Sequence, residues 1–324
     1  MSTSNRRREI LLAGAATAGL AALNLPFGAR AQSYPSREIR LFVPLSAGSS
    51  VDTLTRSFVD EMGKALGQPV VPENKPGAEG VIASETVKNA APDGYTLMMA
   101  YPGHALNVSL YTKLPYDTLN DFTPIAIVAT NVNVLVVPGD SSIKSVPELL
   151  AAVRANPEKR FFGNAGGTSG GSGDLLNFMA NLKATAVTYK GAAEAQKDLL
   201  GGRTDYMFTA LSTATPLVKA GRLRALATTG SKRHPNMADL PTVAEFVPGF
   251  ETTGWYGLAG PAGLPKPIVS RINTALFTAL QDPKVRERVT TLGFDPAPPN
   301  SPEDFDALIR SEIKKWAQVL KPRA

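Results

Sequence analysis

Two loops of small and polar residues carry the clearest chemical potential in this sequence. The first, residues 45–50, reads LSAGSS, and the second, residues 163–173, reads GNAGGTSGGSG. Each loop stands between a short apolar run and a helical pattern, an arrangement that leaves backbone N–H groups unpaired at the positive end of a helix dipole. Small side chains let an anion come close to those groups. The two loops therefore predict a site for a carboxylate or a phosphate.

A simpler interpretation of these loops stays open. Ser49 or Ser50 would cap the helix that begins near Val51, and Asp52 in its first turn would complement the helix dipole without any ligand. The charge of Asp52 also disfavours a highly charged anion on its own side of the loop. The second loop is equally open to interpretation as a structural turn.

The elements that position these loops alternate between strand and helix. Apolar residues alternate over 39–43 and then recur at three- and four-residue steps from Val51 to Leu66, which predicts a strand and an amphipathic helix that ends at Gly67. Further strands are predicted at 70–71, 95–100, 125–130, 132–137, 160–163, 186–189, 206–208, 223–228 and 254–260, and further helices at 80–90, 146–155, 175–182, 192–201, 215–220, from 267, from 283 and over 302–320. This alternation predicts an α/β fold with largely parallel sheets, and the two loops predict a ligand held between two α/β lobes.

The second loop also contains a possible nucleophile. Residues 167–171 read GTSGG, which fits the G-x-S-x-G motif of α/β-hydrolases, and the order Ser169, Asp205, His234 matches their catalytic triad. Ser169, however, lies several residues beyond the predicted strand instead of at a tight turn. His234 stands in the polar sequence SKRHP, which predicts an exposed loop. A secreted serine hydrolase is therefore retained only as an alternative.

Composition excludes several classes of site. The chain has 324 residues, no Cys, and only two His, His104 and His234. Disulfides, thiolate catalysis and Cys-based or His-rich metal sites are therefore excluded. We expect no metal, no cofactor and no catalytic residue.

Residues 1–31 have the features of an export signal. Arg6, Arg7 and Arg8 precede an apolar run too short for a confident membrane span, and the sequence ARA at 29–31 fits a cleavage site near Ala31. The pair Arg7-Arg8 resembles a twin-arginine signal. Cleavage removes four Arg and one Glu, so the formal charge falls from +6 to +3. We therefore expect a periplasmic protein that does not bind nucleic acid.

Motifs along nearly the whole mature sequence resemble one family. They are YPSREIR at 34–40, LGQPVV at 66–71, ENKPGA at 73–78, APDGYTL at 91–97, SLY at 109–111, LPYD at 114–117, YKG at 189–191, GRLRALA at 221–227, LPTVAE at 240–245 and WYG at 255–257. In this order they resemble the Bug or TctC family, the extracytoplasmic solute receptors of tripartite tricarboxylate transporters.

The resemblance implies a type II periplasmic binding protein fold, in which two α/β lobes close over a ligand in the cleft between them. The implied crossings between the lobes lie near 131–135 and 252–256. The implied organisation is a signal peptide at 1–31, the first part of lobe 1 at 32–132, lobe 2 at 133–254, and the second part of lobe 1 at 255–324.

The family resemblance also implies a binding function and a site. The ligand is a small carboxylate, the partners are the integral-membrane permease subunits of the transporter, and the protein is a monomer without enzymatic activity. A periplasmic sensor of the same fold that feeds a signalling partner is the alternative within the family. The implied ligand-binding residues are Leu45, Ser46, Ala47, Gly48, Ser49, Asp52, His104, Asn164, Ala165, Gly166, Gly167, Thr168, Ser169, Tyr189 and Thr209.

Five positions depart from the pattern that the family resemblance implies. Ser49 replaces a second Gly, Leu45 an aromatic residue, and Ser172 a His. Thr209 and Ala210 stand where an Asp-Asn pair is usual. If Thr209 faces the cleft, the distal part of the pocket has lost a carboxylate, which favours an aromatic or simple aliphatic carboxylate over an amino acid.

Overall fold

The computed structural model describes residues 34–189 and 191–320. The chain divides into two compact units, Met1–Ser36 and Arg37–Ala324. Of the first unit the structure describes residues 34–36, which include a cis peptide bond between Tyr34 and Pro35. The predicted export signal at 1–31 lies outside the described residues. All that follows concerns the second unit.

The α/β class predicted from the alternation of patterns is confirmed. The strands are β1 (Ile39–Val43), β2 (Val70–Asn74), β3 (Thr96–Ala100), β4 (Phe122–Pro138), β5 (Phe161–Asn164), β6 (Thr185–Thr188), β7 (Tyr206–Ala210), β8 (Leu223–Thr228), β9 (Thr253–Pro261) and β10 (Asp295–Pro296). The helices are α1 (Ser50–Leu66), α2 (Val81–Lys88), α3 (Pro102–Leu110), α4 (Val146–Ala155), α5 (Gly167–Met179), α6 (Ala192–Leu200), α7 (Leu211–Lys219), α8 (Lys266–Gln281), α9 (Pro283–Thr291) and α10 (Pro302–Val319). Short 3₁₀ turns lie at Ala78–Gly80, Pro157–Lys159, Pro235–Met237 and Val243–Glu245.

One long strand, β4, belongs to two sheets. Its residues 122–132 pair with β9, and its residues 133–138 pair with β7 and β8. The first sheet has the order β2-β1-β3-β9-β4-β10, and the second has the order β6-β5-β7-β4-β8. The sequence patterns predicted two strands at 125–130 and 132–137, and the structure shows that they are one strand of 17 residues.

The two sheets repeat one topology, which fixes the relative position of the two polar loops. In each sheet three parallel strands stand in the order second, first, third. Each of the next two strands runs antiparallel to the strand before it. β1 and β5 are therefore equivalent strands. Each of them runs directly into one of the two glycine- and serine-containing loops. The loops thus occupy the same carboxyl-terminal edge of their respective sheets, the edge at which α/β proteins bind ligands.

The last helix, α10, packs into both hydrophobic cores. Phe305 and Ile309 lie in the core of the first sheet, with Trp255 and Met98. Trp316, three turns further along, lies in the core of the second sheet, with Phe162 and Tyr206. The Trp316 indole N–H donates to the Glu312 carboxylate at 2.8 Å, which satisfies the polar atom of a side chain with no solvent exposure.

Two helix starts differ from the sequence-based expectations. No helix was predicted between 90 and 146, but α3 begins at Pro102, the first helical position, where proline needs no N–H acceptor. Helix α5 was expected from Leu175 and begins at Gly167. Its glycines are needed for close packing, because an added Cβ would lie 2.2 Å from the Phe162 ring at Gly173 and 2.7 Å from the Trp316 ring at Gly171.

The Gly171–Trp316 contact predicts a stability effect. Gly171→Ala places a methyl group against a ring that has no free space, and overpacking of this kind typically costs about 1–3 kcal/mol. We expect a lower free energy of unfolding in urea, partly restored when Trp316→Phe is added. Gly201→Ala is the matched control, because its added Cβ meets no atom closer than 3.4 Å. Equal stability of the two alanine variants would contradict the packing argument.

Candidate ligand site at the crossing strand

The first loop forms a capped helix start. Ser49 is the N-cap of α1, and its hydroxyl accepts from the Asp52 N–H at 3.3 Å. The Ser49 N–H donates to the Ser46 carbonyl, which makes a tight turn with Gly48 at φ +78°. The N–H groups of Ser50 and Val51 have no intrahelical acceptor, because the first helical bond runs from Thr53 to Ser49. The capping interpretation of Ser49 is thus correct, and it leaves N–H groups available for an anion.

Asp52 holds the first loop in shape. It is 3% exposed, and its carboxylate accepts from the Gly48 N–H at 2.9 Å, from Arg56 at 3.0 Å and from the Asn74 amide at 2.9 Å. The same Asn74 amide donates to the Leu45 carbonyl at 3.0 Å. Burial would raise the pKa of Asp52, but the hydrogen bonds from Arg56, Gly48 and Asn74 outweigh burial and hold this pKa below its usual value. Its carboxylate is committed to the protein, so Asp52 positions the loop and its charge is compensated by Arg56.

The second loop presents its backbone to open space. Gly166 has φ +77° and Gly167 has φ +54°, and an added Cβ at either position would meet no atom within 4 Å. The Asn164 side chain fixes the turn by accepting from the Gly166 N–H at 3.0 Å. Because the first bond of α5 runs from Gly170 to Gly166, the N–H groups of Gly167, Thr168 and Ser169 have no intrahelical acceptor. Three donors at the positive end of a 13-residue helix are suited to an anion.

Asn133 on the crossing strand meets the second loop. Asn133 is 2% exposed, and its side-chain oxygen accepts from the Ser169 hydroxyl at 3.4 Å. Its side-chain nitrogen has no hydrogen-bond partner among the described residues. A buried amide donor without a partner is costly in a folded protein, so this N–H group can serve a bound molecule or a water.

Asn131 on the same strand lies near the start of α1. Asn131 and Asn133 are two residues apart on β4 and therefore point to the same face of the strand. Asn131 and Ser50 both lie close to the Tyr256 hydroxyl, and burial raises the pKa of Tyr256 to about 12. The Asn131 side-chain oxygen has no partner in the described part of the chain. β4 thus connects the start of α1 to the start of α5 through two asparagines.

These asparagines were missed as site residues when the sequence was read alone. The signal was present, since two asparagines interrupt the largely apolar run VATNVNVLVV at 128–137. The segments 45–50, 131–133 and 164–170 contain neither Lys nor Arg. An anion here would be held by N–H groups, hydroxyls and amides, without a cationic side chain from these segments.

His104 was expected to contact the ligand, and the structure instead places it in a core. The side chain is 3% exposed, its ring stacks on Tyr116 at 5.7 Å, and it meets the edge of Phe122 at 4.8 Å. Its Nδ1 lies 3.4 Å from the Ser84 hydroxyl. Burial lowers the pKa of His104 to about 4, so the ring is neutral at neutral pH. Helix α3 turns this side chain inward, against the sequence-based expectation.

Two further predicted side chains use their polar atoms differently from the expectation. The Tyr189 hydroxyl donates to the Asp198 carboxylate at 3.0 Å. Thr209 has no solvent exposure, and in the register of β4 and β7 it pairs with Val134, whereas Ala210 pairs with Asn133. Paired residues share a face of the sheet. Thr209 therefore points towards the core under helices α6 and α7, whereas Ala210 lies beside Asn133. The premise that Thr209 faces the cleft is therefore not supported.

The three residues of the possible catalytic triad bind different partners. Ser169 donates to Asn133, Asp205 accepts from Arg160 at 2.6 Å, and His234 lies 3.2 Å from Asp295. The loop SKRHP is exposed as expected, except at His234, whose side chain is 9% exposed. The structure therefore gives no support to a serine nucleophile activated by this histidine.

The described residues offer neither a metal-binding cluster nor a membrane-spanning helix. Within 34–189 and 191–320, no three His, Asp or Glu side chains come together as a metal site would require. The same ranges contain no helix whose length and hydrophobicity suit a membrane crossing.

Comparison with known proteins gives consistent matches. Residues 54–324 match the family model described as "Tripartite tricarboxylate transporter family receptor". The UPF0065 protein in the tcbD-tcbE intergenic region of Pseudomonas sp. (strain P51) is 36% identical over 321 residues, 97% of this chain and 94% of that protein.

Solved structures share the fold. The periplasmic binding protein BugD is 33% identical with a TM-score of 0.76, and the match covers 90% of this chain and 100% of BugD. R. palustris Rpa4515 with adipate is 34% identical with a TM-score of 0.79, again over 90% of this chain and 100% of that one. These matches confirm the periplasmic binding protein fold that the sequence motifs implied.

The hydrogen bonds of Asp52 predict a pH-dependent stability. The folded-state pKa of Asp52 lies below the unfolded value of about 3.9, so its contribution is complete above that value and is lost as the pH falls through the folded pKa. At pH 7 we expect Asp52→Asn to lower the free energy of unfolding by about 1.5–3 kcal/mol, the usual worth of hydrogen bonds to a charged group. The difference should shrink below about pH 4, as measured by urea denaturation over a pH series.

Asp60→Asn is the control for net charge, because Asp60 lies exposed on the same helix. A pH-independent difference between wild type and Asp52→Asn would refute the assigned role of the ionised carboxylate.

Proposed function

This chain belongs to the tripartite tricarboxylate transporter receptor family, and on that premise we propose that it captures a small carboxylate between two lobes and delivers it to membrane permease subunits. The protein acts in the periplasm, after cleavage of an export signal near Ala31. It works as a monomer and as a binding protein, without catalysis. The lobes comprise 32–132 with 255–324, and 133–254.

One observation carries this proposal. Two helices, α1 and α5, begin at equivalent edges of the two sheets. The start of α5 contacts Asn133 on β4, and Asn131, on the same face of β4, lies with Ser50 from the start of α1 near the Tyr256 hydroxyl. A carboxylate placed at this face would receive N–H groups from both loops and the unpartnered amide of Asn133. The site supplies N–H donors, which suit an anion, from both sheets at once. The bound carboxylate therefore joins the two lobes.

The uncharged donors suit a receptor that must release its ligand. A carboxylate held by N–H groups and hydroxyls lacks the strong ion pair with Arg or Lys, so lobe closure, which excludes water, supplies much of the affinity. Reopening then weakens every contact together.

The residues near Asn133 affect which chemical group can follow the carboxylate in the ligand. Ala210 lies beside Asn133 and presents a methyl group where the family pattern has an amide side chain. This small apolar neighbour favours an aliphatic or aromatic continuation of the carboxylate over an amino acid. Rpa4515, which is similar over 90% of this chain, was solved with adipate, an aliphatic acid.

A thermal-shift screen tests the proposed function. The mature protein is screened against mono-, di- and tricarboxylates, aromatic acids, amino acids and phosphorylated compounds. A ligand at a hundred times its dissociation constant adds about 2.7 kcal/mol of stability, which gives a clear rise in melting temperature. We expect aliphatic or aromatic carboxylates to stabilise the protein more than amino acids.

Stabilisation by amino acids alone would refute the proposal that the ligand continues from its carboxylate as an aliphatic or aromatic group. No stabilisation by any carboxylate, together with ester hydrolysis that Ser169→Ala abolishes, would replace the receptor proposal by the hydrolase alternative. Ligand binding without any permease interaction would favour the sensor.

The open space above Gly166 predicts a loss of affinity on substitution. Gly166→Ala puts a methyl group where the ligand approaches, and we expect at least tenfold weaker binding of the best carboxylate by calorimetry, a change of about 1.4 kcal/mol. Ser169→Ala removes one hydroxyl and should weaken binding less.

Gly263→Ala is the matched control, because Gly263 has φ +83° and its added Cβ also meets no atom within 4 Å. Both alanines therefore carry a similar backbone strain of about 1 kcal/mol, and only the first should affect affinity. Unchanged affinity in Gly166→Ala would exclude the second loop as the anion site.

A further inference from the structure

A chain of buried hydroxyl groups links the two crossing segments to the start of α5. The Asn133 N–H on β4 donates to the Thr229 hydroxyl at 2.9 Å, and that hydroxyl donates to the Thr252 carbonyl at 2.6 Å. Thr252 immediately precedes β9, the second strand that pairs with β4. The two crossing segments are therefore joined through one side chain.

The chain of hydroxyls continues into α5. The Thr252 and Ser172 hydroxyls lie 2.6 Å apart, and the Ser172 hydroxyl donates to the Thr168 carbonyl at 2.6 Å. One proton per hydroxyl fixes the direction, because Ser172 uses its proton on Thr168 and must accept from Thr252. Thr168 is in the first turn of α5, next to the donors of the second loop.

Every hydroxyl of this chain is sealed from solvent. Ser172, Thr229 and Thr252 have no solvent exposure, and Asn133 is 2% exposed. No water competes for these hydrogen bonds, and a buried polar network of this kind rigidifies the elements that it joins when all its members are satisfied. Movement of Thr252 relative to α5 must break the Ser172 hydrogen bond.

We propose that the Ser172–Thr252 hydrogen bond is a positioning contact that couples the anion-binding turn of α5 to the crossing segments. Ser172 and Thr252 do not touch the ligand in this scheme. They hold the donors of Gly167, Thr168 and Ser169 at one angle to β4, so that the loop and Asn133 face the carboxylate together. This inference rests on the proposed function for its ligand, although the coupling itself is a property of the protein alone.

The coupling is tested first without any ligand. Thr252→Val keeps the shape of the side chain and the backbone bonds at residue 252 but removes the proton donated to Ser172. Hydrogen exchange of the amides of 168–173 should become faster in Thr252→Val and in Ser172→Ala, and should return to the wild-type rate in Thr252→Ser. Thr204→Val is the matched control, because Thr204 is 3% exposed and its hydroxyl has no partner among the described residues.

Unchanged exchange over 168–173 in Thr252→Val would overturn the proposal whether or not a ligand is known. If Thr252→Val fails to fold, Ser172→Ala with Thr252→Ser gives the same comparison. Faster exchange spread evenly over the protein would indicate only a general loss of stability and would also overturn it.

The second measurement is affinity, with adipate, succinate and benzoate as probes in calorimetry. For any probe that the wild type binds, Thr252→Val and Ser172→Ala should each weaken binding by about fivefold to tenfold, the worth of one hydrogen bond. The double variant should be no weaker than Ser172→Ala alone, because Ser172→Ala already removes the contact with Thr252. Wild-type affinity in these variants would overturn the positioning role. Failure of the wild type to bind any of the three acids counts against the proposed function and leaves the exchange result to decide the coupling.

Discussion

The unpaired N–H groups at the starts of α1 and α5 are the constraint on which the rest of the site depends. A helix cannot satisfy its first amides internally, so each start must find side chains, solvent or a ligand. At α1 the protein uses Ser49 for one amide and leaves Ser50 and Val51 without helical acceptors. At α5 it uses no side-chain cap at all. The remaining donors, brought to the same strand, create a preference for negative charge without any cationic side chain from the loops.

Because strand β4 belongs to both sheets, the N–H groups at the two helix starts concern both halves of the molecule. Because its two halves pair in different sheets, Asn131 and Asn133 lie where the sheets meet. Asn133 contacts Ser169 of the second loop, and Asn131 lies with Ser50 near the Tyr256 hydroxyl. Each asparagine keeps one amide atom without a partner among the described residues. A molecule bound there would complete hydrogen bonds in both halves, which is how the proposed function would couple capture to closure.

Local sequence patterns predicted the elements whose determining residues lie close together in the sequence. The strand, loop and helix over 39–67 were readable because alternation, capping residues and a terminal glycine all lie close in sequence, and the carboxylate loops followed from them. The start of α5 was missed because glycine disfavours helices, whereas here Gly171 and Gly173 admit the rings of Trp316 and Phe162 from distant segments. His104, His234 and Thr209 were misjudged for the same reason. Their surroundings are set by residues far away in sequence, and the role of Asn133 became visible only when β4 placed it next to Ser169.

The double packing of α10 has a consequence for the order in which the chain folds. The core of the second sheet consists mainly of residues 135–250, yet it is completed by Trp316 from near the C-terminus. Domains generally fold as units from the N-terminus as they are synthesised. Here the surface that receives Trp316, including Gly171 on α5, stays uncovered until α10 has been made. Helix α5 thus acquires its final support only with α10, so the final position of its first turn depends on residues that are made more than a hundred positions later.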